Sequence, residues 1–170
     1  MTILETERLQ LRELTLDDLE DFHQILSDPI TMQYYEKPFD KEMTTGWIIW
    51  CLRNYAEHGF GLWAVIHKQD NRLIGDCGLT IQQVDGIGEL EIGYHIHRSY
   101  WKRGLATEAA IACRDFVFDQ LKKDRVISWM QPDNLASRRV AEKMGMRFEK
   151  ETTNKHRTIS AVYSMTPEDR

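Results

Sequence analysis

Between Phe60 and His97 the chain carries three runs rich in β-branched and aromatic residues, Phe60–His67, Arg72–Val84 and Ile87–His97. Only the turn sequences Gln69-Asp-Asn-Arg72 and Asp85-Gly86 separate them. Connections this short join antiparallel neighbours, so the three runs predict a β-meander. The periodicity then changes. Gly104–Leu121 reads as a helix with Leu105, Ala109, Ala112, Cys113 and Phe116 turned inward. A meander that runs directly into a helix confines the chain to a mixed α/β architecture of the α+β kind.

The flanking segments agree. Leu4–Leu14 alternates as a half-buried strand, and Thr15-Leu-Asp-Asp18 supplies an N-cap with acids in the first helical turn. The stripe Leu16, Leu19, Phe22, Ile25 and Leu26 follows at helical spacing until Ser27-Asp28-Pro29 ends it. Asp40 starts a second helix with Met43, Trp47, Trp50, Cys51 and Tyr55 on one face, and Gly59 and Gly61 stop it. After the third helix come a short strand at Arg125–Met130, a helix at Asn134–Met144 ended by Gly145, and strands at Met146–Thr153 and Ile159–Met165. Pro167–Arg170 reads as a frayed tail. No repeat or flexible linker divides the chain, so residues 1–170 are expected to form a single domain.

Composition excludes several classes of function. A formal charge of −5 opposes an extended nucleic-acid footprint, which needs a basic face. Cys51, Cys77 and Cys113 are too few and too irregularly spaced for a disulfide or zinc framework and read as reduced core residues. His95 and His97 share one strand face, but no third ligand follows at a recognisable spacing, so no metal is expected. No segment has the apolar length of a membrane span or leader, and the expected compartment is cytoplasmic.

The segment from Glu89 to Ala109 carries the chemistry: a strand, a basic aromatic loop, then a helix opening on glycine and small residues. Backbone N–H groups at a helix start lack internal partners and lie at the positive end of the helix dipole, which makes them a cradle for a diphosphate. Lys102, Arg103, Gly104, Leu105, Ala106 and Thr107 are positioned to supply it. Gly104 permits close approach of the main chain, and Arg98, Lys102 and Arg103 add positive charge. A P-loop or Rossmann site is excluded because neither glycine pattern occurs.

Trp101-Lys-Arg-Gly104-Leu-Ala106 resembles motif A of the GNAT superfamily, with tryptophan in place of the usual glutamine or arginine. Glu91-Ile-Gly-Tyr94 and Tyr100-Trp-x-x-Gly-x-Ala-Thr-Glu-Ala109 resemble phrases of its RimJ/RimL-like branch, which acetylates protein N-termini and small amines. Thr6–Arg12, Trp63–Val65, Leu73–Leu79 and the Asn134-x-x-Ser137 helix extend the similarity over nearly the whole chain. The resemblance implies one mixed, mostly antiparallel, splayed sheet of about six to seven strands flanked by about four helices. It also implies acetyl-CoA as co-substrate, with Tyr94, His95 and Ile96 lending backbone groups to pantetheine and thioester, Trp101 beside the cradle, and Asn134 on the pantetheine arm. The expected partners are acetyl-CoA and an amine acceptor, with the chain a monomer or homodimer, and neither nucleic acid nor membrane.

Acetyl transfer needs a neutral amine, a donor for the thioester oxygen and a proton for the thiolate. Glu91 is the favoured base and Glu89 the second candidate, the alternative being a positioning carboxylate with water taking the proton. The N–H of His95 or Ile96 is the expected oxyanion donor. Many relatives place an acid tyrosine seven residues after the asparagine, where this chain has Ala141. Ser137, one helical turn beyond Asn134, is the substitute acid or else a capping residue. Tyr34 and Tyr35 are expected to touch the acceptor, while Trp47 and Trp50 read as core. A silent acyl-CoA-binding domain is the competing function.

Overall fold

The computed structural model describes residues 1–153 and 157–170. Its strands are β1 (Thr2–Glu5), β2 (Leu9–Arg12), β3 (Leu62–His67), β4 (Arg72–Val84), β5 (Ile87–Ile96), β6 (Val126–Met130), β7 (Arg147–Thr153) and β8 (Ile159–Met165). They form one eight-stranded sheet in the order β1-β2-β3-β4-β5-β6-β8-β7. The helices are α1 (Leu19–Leu26), α2 (Lys41–His58), α3 (Leu105–Asp115) and α4 (Leu135–Met144). The mixed sheet and four helices agree with the sequence, with one strand more than the upper expectation.

That extra strand comes from the N-terminus. Leu4–Leu14 is not one strand but parts of two, because the chain reverses at Thr6–Arg8 and pairs β1 antiparallel to β2. The reversal is tied to α3. Glu108 in its first turn accepts from the Thr6 hydroxyl at 2.6 Å, the Arg8 N–H at 2.9 Å and Arg8 Nε at 2.7 Å. Burial raises the pKa of Glu108, but these bonds outweigh it and hold the carboxyl below its usual range.

The sheet has a helical layer on each face, and β3 shows why. All six of its residues are buried. Leu62, Ala64 and Ile66 face α1 and α2 with Phe22, Ile25, Leu26, Ile48 and Cys51. Trp63 and Val65 face α3 with Leu105, Ala109 and Cys113. A strand buried on both faces needs apolar residues at every position, and β3 supplies them. The three cysteines are buried and free, as the sequence indicates.

The meander forms as expected. Asp85 and Gly86 both take positive φ, 51° and 80°, the pairing a two-residue hairpin turn requires. The tail differs from expectation. Pro167–Asp169 is a capped 3₁₀ turn in which Asp169 accepts from the Thr166 N–H at 2.9 Å, and Arg170 reaches Asp119 at 2.7 Å. Among the described residues no helix is long and apolar enough to cross a membrane.

One feature of the topology creates the site. Every neighbouring pair of strands is antiparallel except β5 and β6, which run parallel and share register only at Glu91 and Ile127. Beyond that point they diverge. The Ser128 hydroxyl donates to the Ile92 carbonyl at 2.7 Å at the start of the gap, and α3 and α4 lie along its far wall.

Candidate active site

The gap between β5 and β6 opens into a cavity of about 560 Å³ that runs from the aromatics Tyr34, Tyr35, Trp47 and Trp50 to the start of α3. Strand alternation decides which backbone groups enter it. The Ile92 carbonyl faces the gap, and so does that of Ile96, which accepts from Trp101 Nε1 at 2.6 Å. Tyr94, between them in the same phase, therefore turns its N–H and C=O into the opening. His95 turns its backbone the other way: its carbonyl lies 1.9 Å from the point a Cβ on Gly75 of β4 would occupy. The N–H groups of Tyr94 and Ile96 are the ones turned into the gap; that of His95, the other donor expected from sequence, faces β4 instead.

The loop from His97 to Gly104 is held from several sides. Tyr100 donates to Asp70 at 2.7 Å, Arg98 pairs with Asp28 at 3.2 Å, and Arg8 donates to the Arg103 carbonyl at 2.8 Å. Gly104 sits at φ 75°, a left-handed conformation that glycine adopts without steric cost. A Cβ there would meet only Arg8 Nη2 at 3.7 Å, so glycine is required for its backbone angle more than for space. The angle aims the orphan N–H groups of Leu105, Ala106 and Thr107 at the cavity.

Basic charge is distributed differently from the sequence reading. Arg98 is paired with Asp28, and Arg103 lies over the Tyr100 ring at 5.0 Å, leaving Lys102 as the loop cation lining the cavity. Arg139 and Lys143 of α4 line it too. They are four residues apart, the spacing of one helix face, and that was the signal available in sequence.

Glu91 is buried at the floor. Its Oε2 accepts from the Thr80 hydroxyl at 2.6 Å and Gln82 Nε2 at 2.9 Å. Its Oε1 has no partner among the described residues, yet no buried polar side-chain atom is unsatisfied, so Oε1 reaches the open cavity. Burial raises the pKa of Glu91; the bonds from Thr80 and Gln82 oppose the rise without cancelling it. Glu89 is paired with Arg125 and does not line the cavity.

Asn134 caps α4, its Oδ1 accepting from the Ser137 N–H at 3.2 Å, which leaves the amide –NH₂ for the gap. Capping belongs to Asn134, so the Ser137 hydroxyl is not spent on it. Tyr94 Oη donates to the Ser137 carbonyl at 2.7 Å and fixes that turn against β5. Ala141 is fully buried and offers no acid.

The end of the cavity away from α3 is crossed by a strap of residues 28–35. Tyr34 Oη reaches the Asp133 carbonyl at 3.3 Å, and Gln131 Nε2 donates to the Tyr34 carbonyl at 2.6 Å. Tyr35 and Tyr34 line the cavity with Trp47 and Trp50; Trp47 also packs on the α1–α2 core, whereas Trp50 is 37% exposed and is wall, not core. A groove of about 600 Å³ between β1 and α3 meets the cavity at Gly104 and Thr107, and its Asp115 and Asp119 are paired with Arg170.

Comparison with known proteins fits this geometry. The Acetyltransferase (GNAT) domain family matches residues 8–147. The chain belongs to the GNAT acetyltransferases. Protein YkkB of Bacillus subtilis is similar, with 37% identity over 163 residues covering 95% of this chain and 94% of that protein. A GNAT-family acetyltransferase from Bacillus anthracis superposes with a TM-score of 0.82 at 29% identity, covering 99% of both chains. The ribosomal L7/L12 α-N-protein acetyltransferase RimL, solved in complex with coenzyme A, shares the fold with a TM-score of 0.80 at 16% identity over the whole of both chains. This GNAT chain is thus an acetyltransferase enzyme.

Proposed function

We propose that the enzyme moves an acetyl group from acetyl-CoA to a primary amine, either a protein N-terminal amine or a small molecule, by direct attack in a ternary complex. The observation that carries the reading is the gap beyond Glu91, open along one strand edge and ended by a helix start whose N–H groups are free. That shape suits a long thin arm terminating in a diphosphate. The chemistry of the wall agrees: Lys102, Arg139 and Lys143 supply cations and Gly104 the backbone angle.

Acetyl-CoA supplies an activated acyl carbon. The Lys102–Thr107 segment binds the diphosphate, with Trp101, Arg103 and Leu105 shaping the cradle, and the Asn134 amide orients the pantetheine. The N–H groups of Tyr94 and Ile96 face the developing oxyanion. Glu91 Oε1 removes a proton from the attacking nitrogen, and Ser137 protonates the departing sulfur. Tyr34 and Tyr35 hold the acceptor from the other end.

The test combines calorimetry with rates. Saturable binding of acetyl-CoA by the wild type is expected, unchanged in Glu91→Gln and Ser137→Ala. Glu91→Gln is expected to lower turnover on the order of 100-fold. A carboxylate base works only when ionised, so wild-type rate falls as pH drops through its raised pKa, and in Glu91→Gln that limb moves to higher pH. A Glu91→Gln profile identical to wild type contradicts the assignment. Ser137→Ala is expected to reduce kcat alone, and an unchanged rate at saturating substrates removes Ser137 from the mechanism.

A further inference from the structure

A buried chain of hydrogen bonds leads from the sheet to the acceptor end of the cavity. Asp76 of β4 and His95 of β5 are cross-strand partners. Asp76 is fully buried; its Oδ1 lies 2.6 Å from His95 Nδ1 and its Oδ2 accepts from Trp47 Nε1 at 3.0 Å. The carboxylate fixes the imidazole tautomer. Nδ1 carries the hydrogen facing Asp76, so in the neutral ring Nε2 is an acceptor. Tyr35 Oη sits 2.5 Å from Nε2 and donates to it. Tyr35 keeps 37% of its surface exposed and lines the cavity, so its oxygen is within reach of a ligand there.

We propose that Asp76, His95 and Tyr35 form a proton relay that takes the first proton from an acceptor arriving as an ammonium ion, leaving Glu91 to take the second. The inference rests on the acetyl-transfer reading above. Two protons must leave the nitrogen: one before it has a lone pair to attack with, one after the C–N bond forms. In the first step an N–H proton of the ammonium moves to Tyr35 Oη while the phenolic proton moves to His95 Nε2. The products are a neutral amine, a neutral phenol and an imidazolium whose charge faces the Asp76 carboxylate. In the second step the C–N bond forms, the C–S bond breaks with its electron pair leaving on sulfur, and Glu91 receives the remaining ammonium proton.

The surroundings of His95 favour this. The groups facing it are Asp76 from β4, Glu91 four residues back on the same face of its own strand, Tyr35 from the strap, and the Trp47 indole of α2 with ring centroids 5.8 Å apart. Burial lowers the basicity of His95, but the two carboxylates outweigh it and its pKa is raised. Burial, with the same carboxylates, raises the pKa of Tyr35, so it remains a phenol that passes protons without holding a charge. The relay operates with neutral His95, so its contribution falls as pH drops through that raised pKa. Tyr35 is the group that touches the acceptor; His95 and Asp76 act through it as positioning residues.

The test uses the full chain in two arms. In the first, ¹⁵N-histidine NMR follows His95 with pH in wild type and Asp76→Asn. The expected neutral form bears its proton on Nδ1 and titrates above free histidine, with the midpoint falling by about one unit or more in Asp76→Asn. Neutral His95 protonated on Nε2, or a midpoint unmoved in Asp76→Asn, overturns the relay. In the second, thiol release is measured with acetyl-CoA and two probe amines, 2-phenylethylamine and an alanine-initiated peptide. Tyr35→Phe and His95→Gln are each expected to lose about tenfold in kcat/KM at pH 7, and to recover at a pH above the amine's own pKa, where no ammonium remains to be deprotonated. A deficit that persists unchanged at high pH is structural and also overturns the relay. Absence of turnover with both amines counts against the acetyl-transfer reading, while the NMR arm still decides the relay.

Discussion

A glutamate in place of Ala106 is expected to weaken acetyl-CoA binding by about 100-fold or more without unfolding the protein. Ala106 is the second residue of α3, half-buried and lining the cavity. A carboxylate in the first turn of a helix is favourable to the helix, by roughly 0.3–1 kcal/mol, because it faces the orphan N–H groups and the positive end of the dipole. The same placement puts negative charge where the diphosphate is proposed to lie. Folding and cofactor affinity are therefore expected to move in opposite directions. Calorimetric titration with acetyl-CoA alongside thermal unfolding checks this. Unchanged affinity places the diphosphate elsewhere, whereas lost binding with a collapsed melting temperature assigns the effect to packing.

The second large effect is on stability alone. Gly78→Ala is expected to cost about 3 kcal/mol or more, lowering Tm by roughly 6–12 °C for a chain of this size. An added Cβ at Gly78 would lie 2.0 Å from the Gly61 carbonyl oxygen and 2.8 Å from Leu62 Cα, both backbone atoms that no rotamer change can move. The same carbonyl accepts from the Leu79 N–H at 3.0 Å, so displacement also breaks a bond where β4 passes β3. Gly46→Ala is the contrasting control. Gly46 lies inside α2 with nothing within 4 Å of its Cβ position. Alanine there is expected to stabilise by about 0.5–1 kcal/mol through helix propensity. Differential scanning calorimetry of the two variants reads both signs, and a Gly78→Ala melting point equal to wild type contradicts the close packing of β4 on the Gly61 turn.

The difference between what the sequence discloses and what it hides follows the range of the interactions. The meander is legible because Asp85-Gly86 is a local signal that sets its own register. That register also contained part of the site. A two-residue turn places Val84 opposite Ile87, and counting back along both strands puts Thr80 opposite Glu91 and Asp76 opposite His95. The Thr80–Glu91 and Asp76–His95 pairs follow from the turn alone, whereas Gln82, opposite Glu89, reaches Glu91 diagonally. The N-terminal reversal does not follow from such a turn signal. Thr6–Arg8 contains neither glycine nor proline; Thr6 closes the turn locally on Leu9, but Thr6 and Arg8 are also tied to Glu108, about a hundred residues away. The tail is part local and part distant: the Thr166–Asp169 cap of its 3₁₀ turn lies within four residues, whereas Arg170 is anchored by Asp119 on a different element. The contribution of Tyr35 depends on the strap folding back over β5, and nothing local to residues 28–35 dictates that path.

The split between Lys102 and the α4 cations has a similar origin. The loop proposed as the phosphate cradle is legible from its own residues, but which cations face inward depends on Asp28 and Tyr100 drawing Arg98 and Arg103 away. Arg139 and Lys143 take their place through the packing of α4 beside α3.

The most direct measurement of the central claim is acetyl transfer itself. The purified protein, acetyl-CoA and a panel of primary amines are incubated together, with free thiol quantified by colorimetry and the amine product weighed by mass spectrometry. The account predicts thiol release that requires both enzyme and amine and is matched one for one by N-acetylated product. Acetyl-CoA that binds saturably yet yields no amine-dependent thiol with any member of the panel would contradict it.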